Sequence, residues 1–208
     1  MADILYEAAL KYKKLQNFRY DILLGRKCKS HRIMLHFPPE SFFHLAGLQH
    51  LTDITFPSKN KERIYKEILS GNITSDQLKK SVFYKASFIE ERLANLYLIE
   101  SMLVDQSVNY LINTKEYGKY TKIKADYLTE YHLKNDHSIF YLFSVKELKN
   151  PQFENECKGC SFFKKHKTDY TNCTSKTTIL YIRRICNAGA VNESVEVIYK
   201  NPSYNEIA

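Results

Sequence analysis

Phe37-Pro38-Pro39-Glu40-Ser41-Phe42-Phe43-His44-Leu45-Ala46-Gly47-Leu48 is the stretch at which the chain changes its hydrophobic period. Before it, Phe18–Leu24 and Ser30–Phe37 read as two strands around a turn at Gly25-Arg26-Lys27, and the proline pair ends the second strand. After it, apolar residues recur at helical spacing as far as about Val104. This predicts a helix over 41–51 with Ser41 as N-cap, others near 60–70 (stopped by Gly71-Asn72) and 75–84 (capped by Thr74 or Ser75), and a long one near 87–104. Upstream, Ile4, Leu5, Ala8, Ala9, Tyr12 and Leu15 have the i, i+3, i+4 spacing of an amphipathic N-terminal helix. Beyond a linker near Glu116-Tyr117-Gly118 the period returns to two. Tyr120–Tyr127, Ser138–Val145, Ser161–Lys165 and Thr177–Ile185 read as four successive strands, most simply an antiparallel meander. Helices and strands are therefore segregated along the chain. The fold class is α+β, an antiparallel meander sheet packed against a helical block, with an N-terminal helix and β-hairpin.

The 208 residues predict one domain, with its core over 17–186 and a C-terminal strand near Val195–Tyr199 leading into a loose tail within 187–208. A hydrophobic fraction of 44% against 26% charged residues excludes a disordered chain. No run of eighteen apolar residues occurs, and Met1-Ala2-Asp3-Ile4-Leu5-Tyr6-Glu7 lacks the basic-then-apolar pattern of a secretory leader. A cytoplasmic protein with no membrane partner is expected, and its five cysteines fit a reducing compartment better than a disulfide framework.

The formal net charge of +8 is uneven: +4 over residues 1–60, zero over 61–114, +6 over 115–186 and −2 over 187–208. Two basic lobes flanking a neutral middle, with 16 Tyr and 12 Phe, fit nucleic acid as partner. Lysines on strand edges that blunt edge-to-edge pairing would give the same count.

Four places carry candidate chemistry. On the 41–51 helix, His44, Gly47, Leu48 and Leu51 share one face. A glycine inside a helix costs about 1 kcal/mol relative to alanine, so Gly47 implies that another backbone or a ligand comes close. His44 is then either a core histidine with its hydrogen bonds met or a site residue. His50 lies off the stripe and reads as surface. On the long helix, Phe88, Ile89, Leu93, Leu96, Ile99 and Leu103 form the buried stripe, with Arg92 on its border. A guanidinium there needs either a carboxylate such as Glu100 or a phosphate in a cleft. In the first meander strand, Ile123 and Ala125 point one way, and Lys122, Lys124 and Asp126 the other. That second face is either plain solvated surface or a phosphate-binding one. Finally, Cys157-Lys158-Gly159-Cys160, followed by Cys173 and Cys186, offers one C-x-x-C knuckle without a regular second, so zinc is not expected even with His166 as a substitute ligand. No P-loop, GxGxxG, GxSxG or HExxH pattern is present.

Taken together, Phe37-x(5)-Phe43-His44-Leu45-x-Gly47-Leu48, Arg92, Lys124-Ala125-Asp126-Tyr127-Leu128, Ser161-Phe162-Phe163, Tyr170 and Ile179-Leu180-Tyr181 resemble the phage-associated branch of the BECR nucleases, the superfamily that groups barnase, EndoU, colicin and RelE-like RNases. The likeness runs from about Phe18 to Ile185. It implies an antiparallel sheet with helices on one side and metal-independent RNA cleavage by transesterification, with no cofactor. A toxin or phage-conflict role, held in check by an antitoxin or immunity protein, is implied as well. By that likeness His44 and Arg92 are catalytic, Lys124 and Ser161 complete the phosphate site, Tyr170 lies near the base, and Lys122, Tyr127 and Lys164 contact nucleic acid. The clustered cysteines depart from the family's pattern. A non-catalytic RNA-binding module and a protein-interaction domain on the same scaffold are the competing readings.

Overall fold

A computed structural model describes residues 3–105, 108–113, 121–147, 155–186 and 192–204. Helix α1 (Ile4–Leu15) is capped by Asp3, whose carboxylate accepts from the amides of Leu5 and Tyr6. It buries the predicted stripe of Leu5, Ala8, Ala9, Tyr12 and Leu15. Strands β1 (Phe18–Arg26) and β2 (Lys29–His36) form the expected hairpin. Its turn, however, is Lys27-Cys28, with both residues at positive φ, and not Gly25-Arg26-Lys27. Antiparallel twist favours a two-residue turn of this hand, and the Leu24↔His31 and Arg26↔Lys29 register fixes it there.

The helical block is shorter in its pieces than the spacing predicts. Helix α2 (Ser41–Leu45) ends at Ala46, and Gly47 at φ 78° separates it from a 3₁₀ turn over Leu48–His50. A single helix over 41–51, with His44 and Gly47 on one face, is therefore not formed. Nor is Ser41 its N-cap: that position is Glu40, and Ser41 is the buried first residue. Helix α3 (Lys61–Leu69) starts at its cap Asn60, and Gly71 follows it at φ 76°. Helix α4 (Ser75–Leu78) opens on a Thr74/Gln77 capping box. The long helix is split into α5 (Ile89–Asn95) and α6 (Leu98–Val104). Around the break, Leu96 and Ile99 donate to the carbonyls of Leu93 and Leu96, three residues back. Asn95 turns its side-chain amide onto the Glu91 carbonyl at 2.8 Å, which competes for the acceptor that a regular helix would use.

Strands β3 (Asn109–Asn113), β4 (Tyr127–His132), β5 (Ile139–Lys146) and β6 (Glu156–Lys164) are the meander. The expected strand over Tyr120–Tyr127 is displaced, because the described residues 121–126 carry no ladder and pairing with both neighbours starts only at Asp126 and Tyr127. The short apolar run of β3, missed in the sequence, supplies the partner. Tyr120 and the linker near Gly118 lie outside the described residues. After β7 (Thr174–Lys176) and β8 (Thr178–Cys186), β9 (Ser194–Lys200) realises the expected C-terminal strand.

All nine strands join one sheet in the order β7-β3-β4-β5-β6-β2-β1-β8-β9. The hairpin enters beside the meander through a parallel β2–β6 pairing, so β8 adds to β1 and not to β6 as a simple meander would require. Only Thr177 separates β7, which pairs with β3, from β8, which pairs with β1. One stretch of chain thus joins the first strand of the ladder to the last but one, and the sheet must curl to bring the two together; the Thr177 hydroxyl donates to the Tyr110 carbonyl of β3 where they meet, at 2.6 Å. Alternating residues Phe140 and Leu142 join the main core with the helices, whereas Tyr141 and Phe143 form a smaller cluster with Leu111 and Leu128 on the other face. Among the described residues no helix is long and apolar enough to cross a membrane.

Candidate functional site

Where β6 passes α2 and α5, the approach of elements is set by three residues. The Tyr12 hydroxyl donates to the Pro38 carbonyl at 2.8 Å and its ring packs against Phe37 and Phe42, which seats the entry to α2. A Cβ on Gly159 would lie 2.9 Å from the Phe37 ring, so β6 can come this close to the β2–α2 corner only without a side chain there. A Cβ on Gly47 would lie 2.8 Å from Cδ of Arg92 and 3.1 Å from Ile89. The close neighbour implied by Gly47 is therefore the Arg92 side chain.

These elements enclose an open cavity of about 1480 Å³. His44 from α2, Arg92 from α5, Lys122 and Lys124 from the segment before β4, Ser161 and Lys164 from β6, and Tyr170 all line it. Seven of the eight sequence-derived candidates meet on its wall. The exception is Tyr127, which belongs to the buried main core, with its hydroxyl pushed up by burial. It cannot stack on nucleic acid. Tyr170 lines the cavity, but its ring packs edgewise on Tyr141, Phe143 and Phe163. Although Lys122 and Lys124 lie outside any ladder, the predicted alternation survives: both are exposed, while Ile123 and Ala125 pack on the smaller cluster.

The wall also contains groups that the sequence reading did not assign to the phosphate site. Lys61, at the first turn of α3, places its ammonium 2.6 Å from Nε2 of His44. An ammonium can only donate, so Nε2 accepts and the neutral ring carries its proton on Nδ1. Burial, then the charges of Lys61, Lys158 and His50, pull the His44 pKa down to about 4. His50, read as surface, lines the cavity as well, and burial and then Arg92 lower its pKa. His166 and Phe88 complete that side. Phe88, expected on the buried stripe, is 46% exposed.

Arg92 donates from Nη1 to the Phe162 carbonyl at 3.0 Å, and its guanidinium lies 5.0 Å from the centre of the Phe163 ring. Burial brings its pKa down to about 10, so it stays charged at neutral pH. Its Nε is buried without a hydrogen-bond acceptor among the described residues. Glu100, the carboxylate considered as its partner, instead faces Arg184 at 3.5 Å. Among the described residues the wall has seven lysine or arginine side chains and three histidines against one carboxylate, Glu40. Such a wall is built for polyanions and is poor in the oxygen ligands that hard divalent ions require.

Cys160 lines the cavity and Cys157 is buried in the core; burial pushes both thiols up to about 12, so neither offers a thiolate at neutral pH. Among the described residues no three of Cys157, Cys160, Cys173 and Cys186 lie at metal-ligand spacing. The group with metal-ligand spacing is His36, Glu147 and Glu156, where Arg19 and Lys158 already pair with the two carboxylates at 2.8 and 2.7 Å.

A curled mixed sheet, mostly antiparallel, with its helices gathered in one block and a cationic, histidine-bearing cavity where the two meet, defines the protein as an α+β fold with a candidate anion-binding site. The chain matches the profile of the family described as phage-Barnase-EndoU-ColicinE5/D-RelE like nuclease4 (PBECR4) over residues 4–189, and it belongs to that nuclease family. No curated protein and no solved structure matches the chain.

Proposed function

We propose that the protein is a metal-independent endoribonuclease that cleaves RNA by internal transesterification in the cavity. The observation that carries this reading is the placement of neutral His44, with Nε2 held by Lys61, on the same cavity wall as an Arg92 that forms no ion pair with a described carboxylate. A phosphodiester entering the cavity gives the Lys61 ammonium a better acceptor than imidazole. That frees the Nε2 lone pair, and the phosphate's negative charge offsets the cations that hold His44 down.

His44 then takes the proton of the ribose 2′-hydroxyl as its oxygen attacks phosphorus. Arg92, Lys124 and Lys61 carry the extra charge of the phosphorane, with the Ser161 hydroxyl as a further donor. The P–O5′ bond breaks and the departing oxygen takes a proton from the protonated form of His50; burial and then Arg92 disfavour that form in the free protein, and the phosphate's negative charge, by offsetting Arg92, favours it in the complex. The products are a 2′,3′-cyclic phosphate and a free 5′-hydroxyl. Lys122, Lys164 and Tyr170 flank the scissile phosphate along the strand.

Total RNA incubated with purified protein in EDTA should be cut, and His44→Ala should lower the rate by about 10²–10⁴-fold, the usual worth of a positioned base. Full activity in that variant would remove His44 from the site. RNA bound with strong salt dependence but left intact would favour a binding module on the same cavity. For the toxin or phage-conflict role, and with it a cytoplasmic acidic antitoxin or immunity protein covering the cavity, expression of the wild type should arrest growth and His44→Ala should not.

A further inference from the structure

The neighbours of Phe88 in the sequence place it on a buried helical stripe, yet its ring lies 46% exposed on the wall of the cavity. Its backbone is left-handed, at φ 54° and ψ 37°, a conformation that bulky side chains rarely adopt. Strain of this kind persists where the surroundings over-determine it, and it concentrates at ligand sites. Here it turns the ring out of the core at the N-cap of α5, one turn before Arg92, whose amide donates to the Phe88 carbonyl at 3.0 Å.

The ring meets a partner that is itself held. His166 stacks on Phe88 with centroids 4.1 Å apart and planes 22° from parallel. Its Nε2 lies 2.9 Å from a carboxylate oxygen of Glu91, also on α5, and since a carboxylate only accepts, the imidazole proton points there. One short helix thus supplies the aromatic ring, the anchor of the second ring and the guanidinium. Tyr170, the other aromatic considered for base contact, has its ring occupied by three aromatic neighbours.

We propose that Phe88 and His166 form a nucleobase-stacking subsite, which extends its two-ring stack with the base of a nucleotide whose phosphate faces Arg92. The assignment rests on the phosphate-site reading above and adds the group that binds the base. Every nucleobase has a π-face, so the stack gives affinity and register along a single strand with little preference among bases.

The probes are adenosine 5′-monophosphate, ribose 5-phosphate and adenosine, titrated against wild type, Phe88→Asn and Phe88→Tyr. Asparagine tolerates the left-handed backbone and lacks the ring, whereas tyrosine keeps the ring. Wild type and Phe88→Tyr should bind the nucleotide about five- to a hundred-fold more tightly than ribose 5-phosphate. Phe88→Asn should lose that preference and keep its affinity for ribose 5-phosphate. A preference that survives in Phe88→Asn, or is absent from the wild type, would overturn the subsite and leave the phosphate site standing. If ribose 5-phosphate fails to bind wild type, the phosphate site falls instead. The stack is then decided by adenosine, whose binding must disappear in Phe88→Asn.

Discussion

His44 is held neutral by burial and by cations that repel a second charge, so its basic form should persist down to about pH 4. The acidic limb of kcat/KM, which reports the free protein, should therefore lie well below the ordinary histidine value of 6.5. Replacing Lys61 with Gln removes one of those cations, and the limb should move part of the way back up, burial being the larger cause; an NMR titration of the His44 ring would show the same shift. The sign for stability follows. On acidification the unfolded chain protonates this imidazole near 6.5 and the folded chain only near 4, so His44 makes the fold less stable as pH falls through that window. At this scale much of the candidate site's lining was legible, because His44, Arg92, Lys124 and Ser161 stand out as polar groups in apolar or alternating surroundings. Lys61 and Lys158 did not, since each sits in a stretch where a charged residue looks like ordinary surface, and His166 enters the sequence reading only as a substitute zinc ligand; only the folded chain brings them to one wall. Tyr127 failed in the opposite way: an aromatic in a strand reads equally as core or as ligand contact, and here it is core.

Elements follow their local chemistry where the chain's own turns decide, and depart from it where neighbours do. The Lys27-Cys28 turn has both residues at positive φ without a glycine or asparagine to ease it. Substituting Asn-Gly there should stabilise the protein by about 1–2 kcal/mol in denaturant melts, whereas the same change at Gly25-Arg26 should destabilise it. Gly47→Ala combines a left-handed backbone with a Cβ 2.8 Å from Arg92, so it should cost about 1–3 kcal/mol and reduce cleavage by displacing the guanidinium. The sequence identified Gly47 as a point of close approach but read straight through it, because helical spacing over eleven residues does not show one residue at positive φ. The long helix over 87–104 was misjudged for the same reason. Leu93, Leu96, Ile99 and Leu103 keep their spacing across a break created by hydrogen bonding. The meander was legible as alternation and misplaced by one strand at its start, because β3 is only five residues long.

In the molecule as a whole, the curl of the sheet and a cationic cavity wall occur together. Pairing of β2 with β6 and the sharing of one chain segment between β7 and β8 join parts of the chain far apart in sequence, and adjacency along the sequence points instead to an uninterrupted meander. The class of fold was therefore readable, and the order of its strands was not. Of the two basic lobes counted in the sequence, only that over 115–186 supplies lysines to the cavity wall, joined there by Lys61 and Arg92 from the neutral middle and by His44 and His50 from the first sixty residues. If that wall neutralises phosphates, the logarithm of RNA affinity should fall linearly with the logarithm of salt concentration, and Lys122→Gln or Lys124→Gln should each reduce the slope by about 0.7. The central claim is tested most directly by the ends of the product. A defined single-stranded oligoribonucleotide, incubated with the protein in EDTA and analysed by mass spectrometry, should yield fragments ending in a 2′,3′-cyclic phosphate with 5′-hydroxyl partners, and none with His44→Ala. An oligonucleotide left intact by the wild type, or fragments carrying 3′-hydroxyl and 5′-phosphate ends, would contradict it.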